Sequence, residues 1–242
     1  MAKITNPRDI FPQITETYKT IFGDSLISII LYGSAAGNDY LPGKSDINFL
    51  IILSDNAIDN LESALNEVSR WRRRKVATPL FMTKAYITSS LDSYPIEFLN
   101  IKRNYHLVYG EDVLAEMTFD PHDLRLQCER EIKGKLLLLR EGFLETDGKK
   151  KKIRELIGSS ITAFISIFSG LLHLKGIEIP DAKREIITLV AQEFSIDQAP
   201  FIKCMDIKTG KKDYSSDETS LIFKAYLAEV RKLWEIVDKL EI

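Results

Sequence analysis

Residues 31–53 read LYGSAAGNDYLPGKSDINFLIIL, and the fold is decided by how that stretch is read. The run SLISIILYG is rich in β-branched residues and ends in glycine, so it predicts a buried strand closed at Gly33. SDINFLIIL predicts a second strand of the same kind. Side chains alternate along a strand, so Asp46, Asn48, Leu50 and Ile52 share one face while Ile47, Phe49, Ile51 and Leu53 share the other. The second set is wholly apolar and must face a core. Asp46 and Asn48 lie roughly 6 to 7 Å apart by the rise per residue, close enough for both side-chain oxygens to approach one cation.

The turn between the strands fits phosphate chemistry. Gly33 lets the backbone turn tightly and approach a ligand, and Ser34 adds a hydroxyl and an amide that can point at a phosphate oxygen. Two commoner phosphate motifs are excluded. Gly43-Lys44-Ser45 has the ending of a Walker A loop, but Asn38 stands where its first glycine belongs and a strand follows in place of a helix. GSAAGN lacks the glycine spacing of a dinucleotide fingerprint.

Working outward, Pro7 to Gly23 carries Ile10, Ile14, Tyr18 and Ile21 at helical spacing. After the second strand, AIDNLESALNEVSRWRRR predicts a helix with Ile58, Leu61, Leu65 and Val68 on its apolar stripe. VATPLFMT and YPIEFLNI predict further short strands, with YHLVYG as a candidate for another. Glu97 is the one carboxylate in YPIEFLNI. In a strand it must either face solvent at an edge or be held in a polar site, since burying it alone is too costly.

Near residue 119 the pattern turns helical. Asp120-Pro121 is a cap followed by proline at the first helical position, and four long helical segments follow, with a shorter one around Ala199 to Met205. The order helix, strand, strand, helix, strands indicates an α/β or α+β domain over residues 1–118, with α+β, a mixed sheet flanked by helices, as the expected form, and then an all-α bundle over 119–242.

Bulk properties narrow the function classes. Hydrophobic residues make up 45% and charged residues 28% of the 242, with a net charge of -2, which describes a globular protein. Cut at residue 119, the chain has 12 basic against 14 acidic residues, then 21 against 21, so a nucleic-acid partner is not expected. RWRRRK and GKKKKIR read as solvated helix ends or linkers. Cys128 and Cys204 read as small buried or half-buried residues of a reducing compartment. MAKITNPRDIFPQ has no apolar signal region, and Ile161 to Leu174 reads as the centre of a bundle and not a membrane span; a cytoplasmic location is expected.

Together these residues resemble the nucleotidyltransferase superfamily, which includes DNA polymerase beta and the small antibiotic-modifying nucleotidyltransferases. Its signature is an apolar residue before Gly-Ser, a gap of about ten residues, acid-apolar-acid-apolar, and a third acid on a later strand. Here Tyr32-Gly33-Ser34 is followed by eleven residues and then Asp46-Ile47-Asn48-Phe49, with Glu97 as the later acid. The resemblance implies a hydroxyl of the acceptor attacking the α-phosphorus of a nucleoside triphosphate, with ATP the first candidate, and loss of pyrophosphate. It implies that Gly33 and Ser34 cradle the triphosphate, that Asp46, Asn48 and Glu97 are the metal set, and that Asp46 and Glu97 carry catalysis. Two Mg²⁺ or Mn²⁺ ions about 3.5 to 4 Å apart would clamp the attacking and leaving oxygens. Lys44 and Ser45 are candidate phosphate contacts, and Lys102, Arg103 and His106 weaker ones.

Asn48 departs from the signature. Its amide oxygen can ligate magnesium but brings no charge and bridges two ions poorly. Three readings therefore stay open: a slow nucleotidyltransferase, a nucleotidyltransferase-like binding or regulatory protein, and an α/β domain with a bundle and no nucleotide chemistry. For the acceptor, a small hydroxylated molecule and a protein side chain both stay open. A homodimer through exposed helix faces also stays open.

Overall fold

The computed structural model describes residues 4–37 and 40–241; Asn38 lies outside them. The chain divides into two compact units, Met1–Asp92 with Glu97–Phe119, and Ser93–Ile96 with Asp120–Ile242.

Four strands form the sheet of the first unit, in the order β3-β2-β1-β4. They are β1 (Leu26–Tyr32), β2 (Asn48–Leu53), β3 (Leu80–Met82) and β4 (Tyr105–Gly110). β1 runs antiparallel to β2 and to β4, while β2 and β3 are parallel, so the sheet is mixed. Helices cover both faces, which is why the two central strands are almost continuously apolar. Ile47, Phe49, Ile51 and Leu53 pack with Ile14, Tyr18 and Trp71 from α1 (Phe11–Phe22) and α2 (Leu65–Arg72). On the other face Ile30, Leu50 and Ile52 meet Ile87, Phe98 and Ile101 from α3 (Lys84–Ser90) and α4 (Pro95–Arg103). Fully burying each such side chain contributes about 1.5 to 3 kcal/mol.

Two local expectations are corrected. YPIEFLNI is not a strand but most of α4, so Glu97 projects from a helix. A short apolar run does not distinguish a buried strand from a buried helix by periodicity. Within it Ile96, Phe98, Leu99 and Ile101 are all buried and Glu97 is exposed. Pro95 opens the helix, where its missing N–H costs nothing. The Ile96 N–H is taken by the Oε1 of buried Gln127 at 2.7 Å. The second correction concerns α2. It is preceded by a 3-10 turn at Leu61–Ala64, whose tighter winding rotates the helix. Ala64 and Trp71 become the buried positions, while Leu65 is 64% exposed.

The second unit is a bundle of α5 (Pro121–Glu145), α6 (Lys150–Leu174), α7 (Lys183–Glu193), α8 (Gln198–Thr209) and α9 (Ser216–Val237). Asp120 caps α5, its Oδ1 accepting from the backbone N–H of His122 and Asp123 at 2.8 and 3.3 Å. Ser215 and Glu218 form a reciprocal capping box on α9. α6 is the central element. By length and composition it could cross a membrane, but 56% of its most apolar window is buried among the neighbouring helices. Phe164 and Phe201 meet Tyr226 edge-on at centroid distances of 5.7 and 5.4 Å, and Tyr226 donates to Ser160 Oγ at 3.2 Å. Cys128 and Cys204 are buried free thiols, and burial pushes the Cys204 thiol far above its ordinary range.

Candidate functional site

The site is built where β1 ends and β2 begins. Tyr32 pairs with Asn48 across the antiparallel ladder, so the turn that leaves β1 lies beside the start of β2. Gly33–Ala35 is a single 3-10 turn, entered with Gly33 at φ 75, a left-handed conformation that favours glycine. A Cβ at Gly33 would sit 3.6 Å from the amide nitrogen of Asn48, so the Asn48 side chain lies against the turn. Gly33 N–H donates to the Asn104 carbonyl at 2.9 Å, which ties the turn to the junction between α4 and β4. The Asn104 side-chain oxygen also approaches Gly37, 3.2 Å from where a Cβ would stand.

Asn104 is the part of this arrangement that the sequence conceals. It is 71 residues from Gly33, and only the pairing of Tyr32 with Tyr105 brings it there. Tyr32 and Tyr105 are neighbours on that ladder. Burial pushes the Tyr32 phenol above its ordinary range. Tyr105 is raised by burial and then by its hydrogen bond to Asp112, 2.9 Å long. Both phenols therefore stay neutral at physiological pH.

Asp46 stands just before β2, exposed, while Asn48 is half-buried. Ser34 is half-buried in the 3-10 turn. Lys44 is exposed in the loop before Asp46. Ser45 closes that loop, its backbone N–H donating to Leu41 O at 2.9 Å and its hydroxyl accepting from Leu41 N at 3.0 Å. The hydroxyl of Ser45 thus already serves the loop.

Glu97 is placed differently from the strand position expected of it. Phe98 and Ile101 of α4 pack on the face of β2 that Asn48 shares, so the helix that carries Glu97 lies on that face of the sheet. Seven residues separate it from Asn104, however, which is about 10 Å of helix rise away from the Gly33 turn. The later strand that does lie beside β2 is β3, and it contributes Leu80, Phe81 and Met82, with no carboxylate. Among the described residues no group of three or more His, Cys, Asp or Glu side chains is arranged to hold a metal.

The weaker candidates have structural contacts. Lys102 donates to the carbonyls of Ala115 and Met117 at 2.9 and 2.6 Å, and His106 stacks on Phe11 with centroids 5.4 Å apart. The basic clusters are engaged as well. Arg70 pairs with Glu67, Arg74 lies over the Trp71 ring, and Lys150 and Arg154 both meet Asp213.

The donor set sets what can bind. Magnesium is held by one or two carboxylates together with substrate phosphates and retains several waters. Asp46 with the Asn48 amide oxygen suits one such ion arriving with a triphosphate. It does not suit two ions, whose mutual repulsion requires more carboxylate charge than one Asp supplies.

No family model matches the chain, and no curated protein sequence matches it. Among solved structures it is similar to the spectinomycin adenyltransferase AAD(9) from Enterococcus faecialis, solved with ATP and spectinomycin. The two superpose with a TM-score of 0.55 at 14% identity, over 91% of this chain and 99% of the other. The likeness spans both the mixed sheet and the helical region, and at that identity it speaks for the fold. The chain therefore has the nucleotidyltransferase-like fold found in antibiotic nucleotidyltransferases.

Proposed function

We propose that the chain binds a nucleoside triphosphate, ATP first among them, at the Gly33-Ser34 turn, and transfers its nucleoside monophosphate to the hydroxyl of a small acceptor molecule at a low rate. The observation that carries this reading is the packing of the left-handed Gly33 turn against Asn48, next to Asp46. The likeness to a protein solved with ATP and an antibiotic supports the nucleotide and the small acceptor.

In this reading Gly33 lets phosphate oxygens approach the backbone, and the Ser34 hydroxyl and amide donate to them. Asp46 is the anionic ligand and Asn48 a neutral one for a single magnesium or manganese ion. That ion supplies charge neutralisation for the triphosphate and for the departing pyrophosphate. Glu97 stands about 10 Å of helix rise from the Gly33 turn, so its proposed part is at the acceptor hydroxyl and not at the ion held by Asp46. Lys44, exposed in the loop before Asp46, is the residue proposed to neutralise a phosphate charge. The resulting chemistry is in-line displacement at the α-phosphorus: the acceptor oxygen bonds to phosphorus as the bridging bond to pyrophosphate breaks, and the hydroxyl proton leaves to base or solvent.

A second reading has an observation in its favour. With no carboxylate on β3 and no three-acid cluster among the described residues, the same turn and strand start can serve nucleotide binding without transfer, as a regulatory domain. The two separate in one experiment. The chain is incubated with α-labelled nucleoside triphosphates, magnesium or manganese, and pooled hydroxylated acceptors. Label appearing on an acceptor together with released pyrophosphate supports the enzyme. Nucleotide protection against thermal unfolding without any transfer supports the binder, and neither result rejects both.

A further inference from the structure

We infer that α5 is the seam of a two-fold homodimer in which the helix pairs antiparallel with α5 of a second copy. Six residues of this helix, Leu126, Arg130, Gly134, Leu137, Glu141 and Leu144, all exposed, recur at spacings of four, four, three, four and three. At 100° per residue they fall within a stripe about 80° wide, running about 27 Å along the helix axis. The apolar members are unusually bare for large side chains: Leu126 is 56% exposed, Leu137 64% and Leu144 78%. Singly such residues need no explanation, but three aligned on one helix face do.

The stripe is complementary to its own reverse. Laid antiparallel on a second copy, Leu126 meets the partner's Leu144, Arg130 meets the partner's Glu141, and Leu137 meets the partner's Gly134. The two-fold axis repeats each contact. Gly134 is what lets the helices come close, because a Cβ there would have no atom within 4 Å and the position is an open notch on the surface. Leu137 of each copy fills the notch of the other. Opposite charges at Arg130 and Glu141 favour the antiparallel register, since a parallel pairing would place like charges side by side. Lys133, at the edge of the stripe, is already occupied by Glu129 and Asp238, so it adds little like-charge repulsion. A seam of one helix pair is small beside a standard interface of ~1,200 to 2,000 Å². The dimer is accordingly a concentration-dependent equilibrium and not an obligate assembly.

The test is sedimentation equilibrium of the full chain over a wide concentration series, with thermal melts confirming that each variant is folded. The wild-type chain should show a monomer-dimer equilibrium. Arg130→Glu and Glu141→Arg should each weaken dimerisation about tenfold or more, because each places like charges across the seam twice. Combining both reversals should restore it. Leu137→Glu should give a monomer. A wild-type chain that stays monomeric throughout, as it would if the stripe served a different protein, overturns the inference. So does a dimer indifferent to the single reversals, or one that the double reversal fails to rescue.

Discussion

Replacing Asn48 by Asp tests the reading of the site with almost no change of shape. The side chain already lies against Gly33 and is half-buried, so an isosteric carboxylate needs no repacking. What changes is charge. The introduced carboxylate and that of Asp46 would be about 6.6 Å apart by the strand rise, and two like charges at that distance repel by about 0.6 kcal/mol at the dielectric of water and about 2.5 kcal/mol at an effective value near 20. Without metal the variant should melt about 1 to 10 °C below wild type, at ~2 to 4 °C per kcal/mol for a chain of this size. A divalent ion seated between the carboxylates removes that repulsion, so relief alone strengthens magnesium-dependent nucleotide binding by about three- to seventyfold. The assay is thermal melting of both proteins in chelator and across a magnesium titration with ATP present. The variant should start lower and rise further. Identical melting in chelator together with an identical magnesium response would refute the placement of Asp46 and Asn48 at one cation site.

Other positions make independent predictions. Gly33→Ala adds a Cβ at ordinary contact distance but in left-handed backbone, so it should cost about 1 to 2 kcal/mol of stability and weaken nucleotide binding more than it weakens the fold, read by melting with and without ATP. Gly110→Ala is far worse, since its Cβ would lie 2.0 Å from the Ile27 carbonyl at φ 79 and β1 and β4 would have to part; chemical denaturation should show a loss above about 4 kcal/mol, against about 1 for Gly148→Ala, which has φ 70 and open space. The capping box holds the Glu218 carboxyl below its ordinary value of 4.5, chiefly through the Ser215 backbone N–H, so its contribution is present above that pH and disappears as pH falls through the lowered value. The melting difference between wild type and Glu218→Gln should therefore be full at neutral pH and vanish in acid.

The strands and the bundle are legible in the sequence because their signals are local. β1 and β2 announce themselves as β-branched runs, and Asp120-Pro121 marks a helix start by chemistry that acts within four residues. α4 reads as a strand because burial on nearly every side erases periodicity, although Pro95 at its first position is a usable sign. α3 escapes notice for the lack of an apolar stripe: only Ile87 and Ser90 of its seven residues are buried. At the candidate site, Gly33, Ser34, Asp46 and Asn48 can be grouped from the sequence because one turn and one strand start contain them. Asn104 cannot, since its place depends on how β4 docks on β1. Glu97 stands out in the sequence as the lone acid of an apolar segment. That criterion finds an exposed helical position, which is where such a residue sits most cheaply.

In the proposed function a nucleoside triphosphate and one divalent ion bind together at the Gly33 turn and Asp46. Calorimetric titration of ATP into the full chain, in magnesium and in chelator, and again with Asp46→Ala, tests it most directly. Binding should be found in magnesium and be much weaker in chelator, and the residual binding of the variant should no longer respond to magnesium. ATP binding that keeps its full magnesium dependence without the Asp46 carboxylate, or no binding by the wild-type chain in either condition, would contradict it.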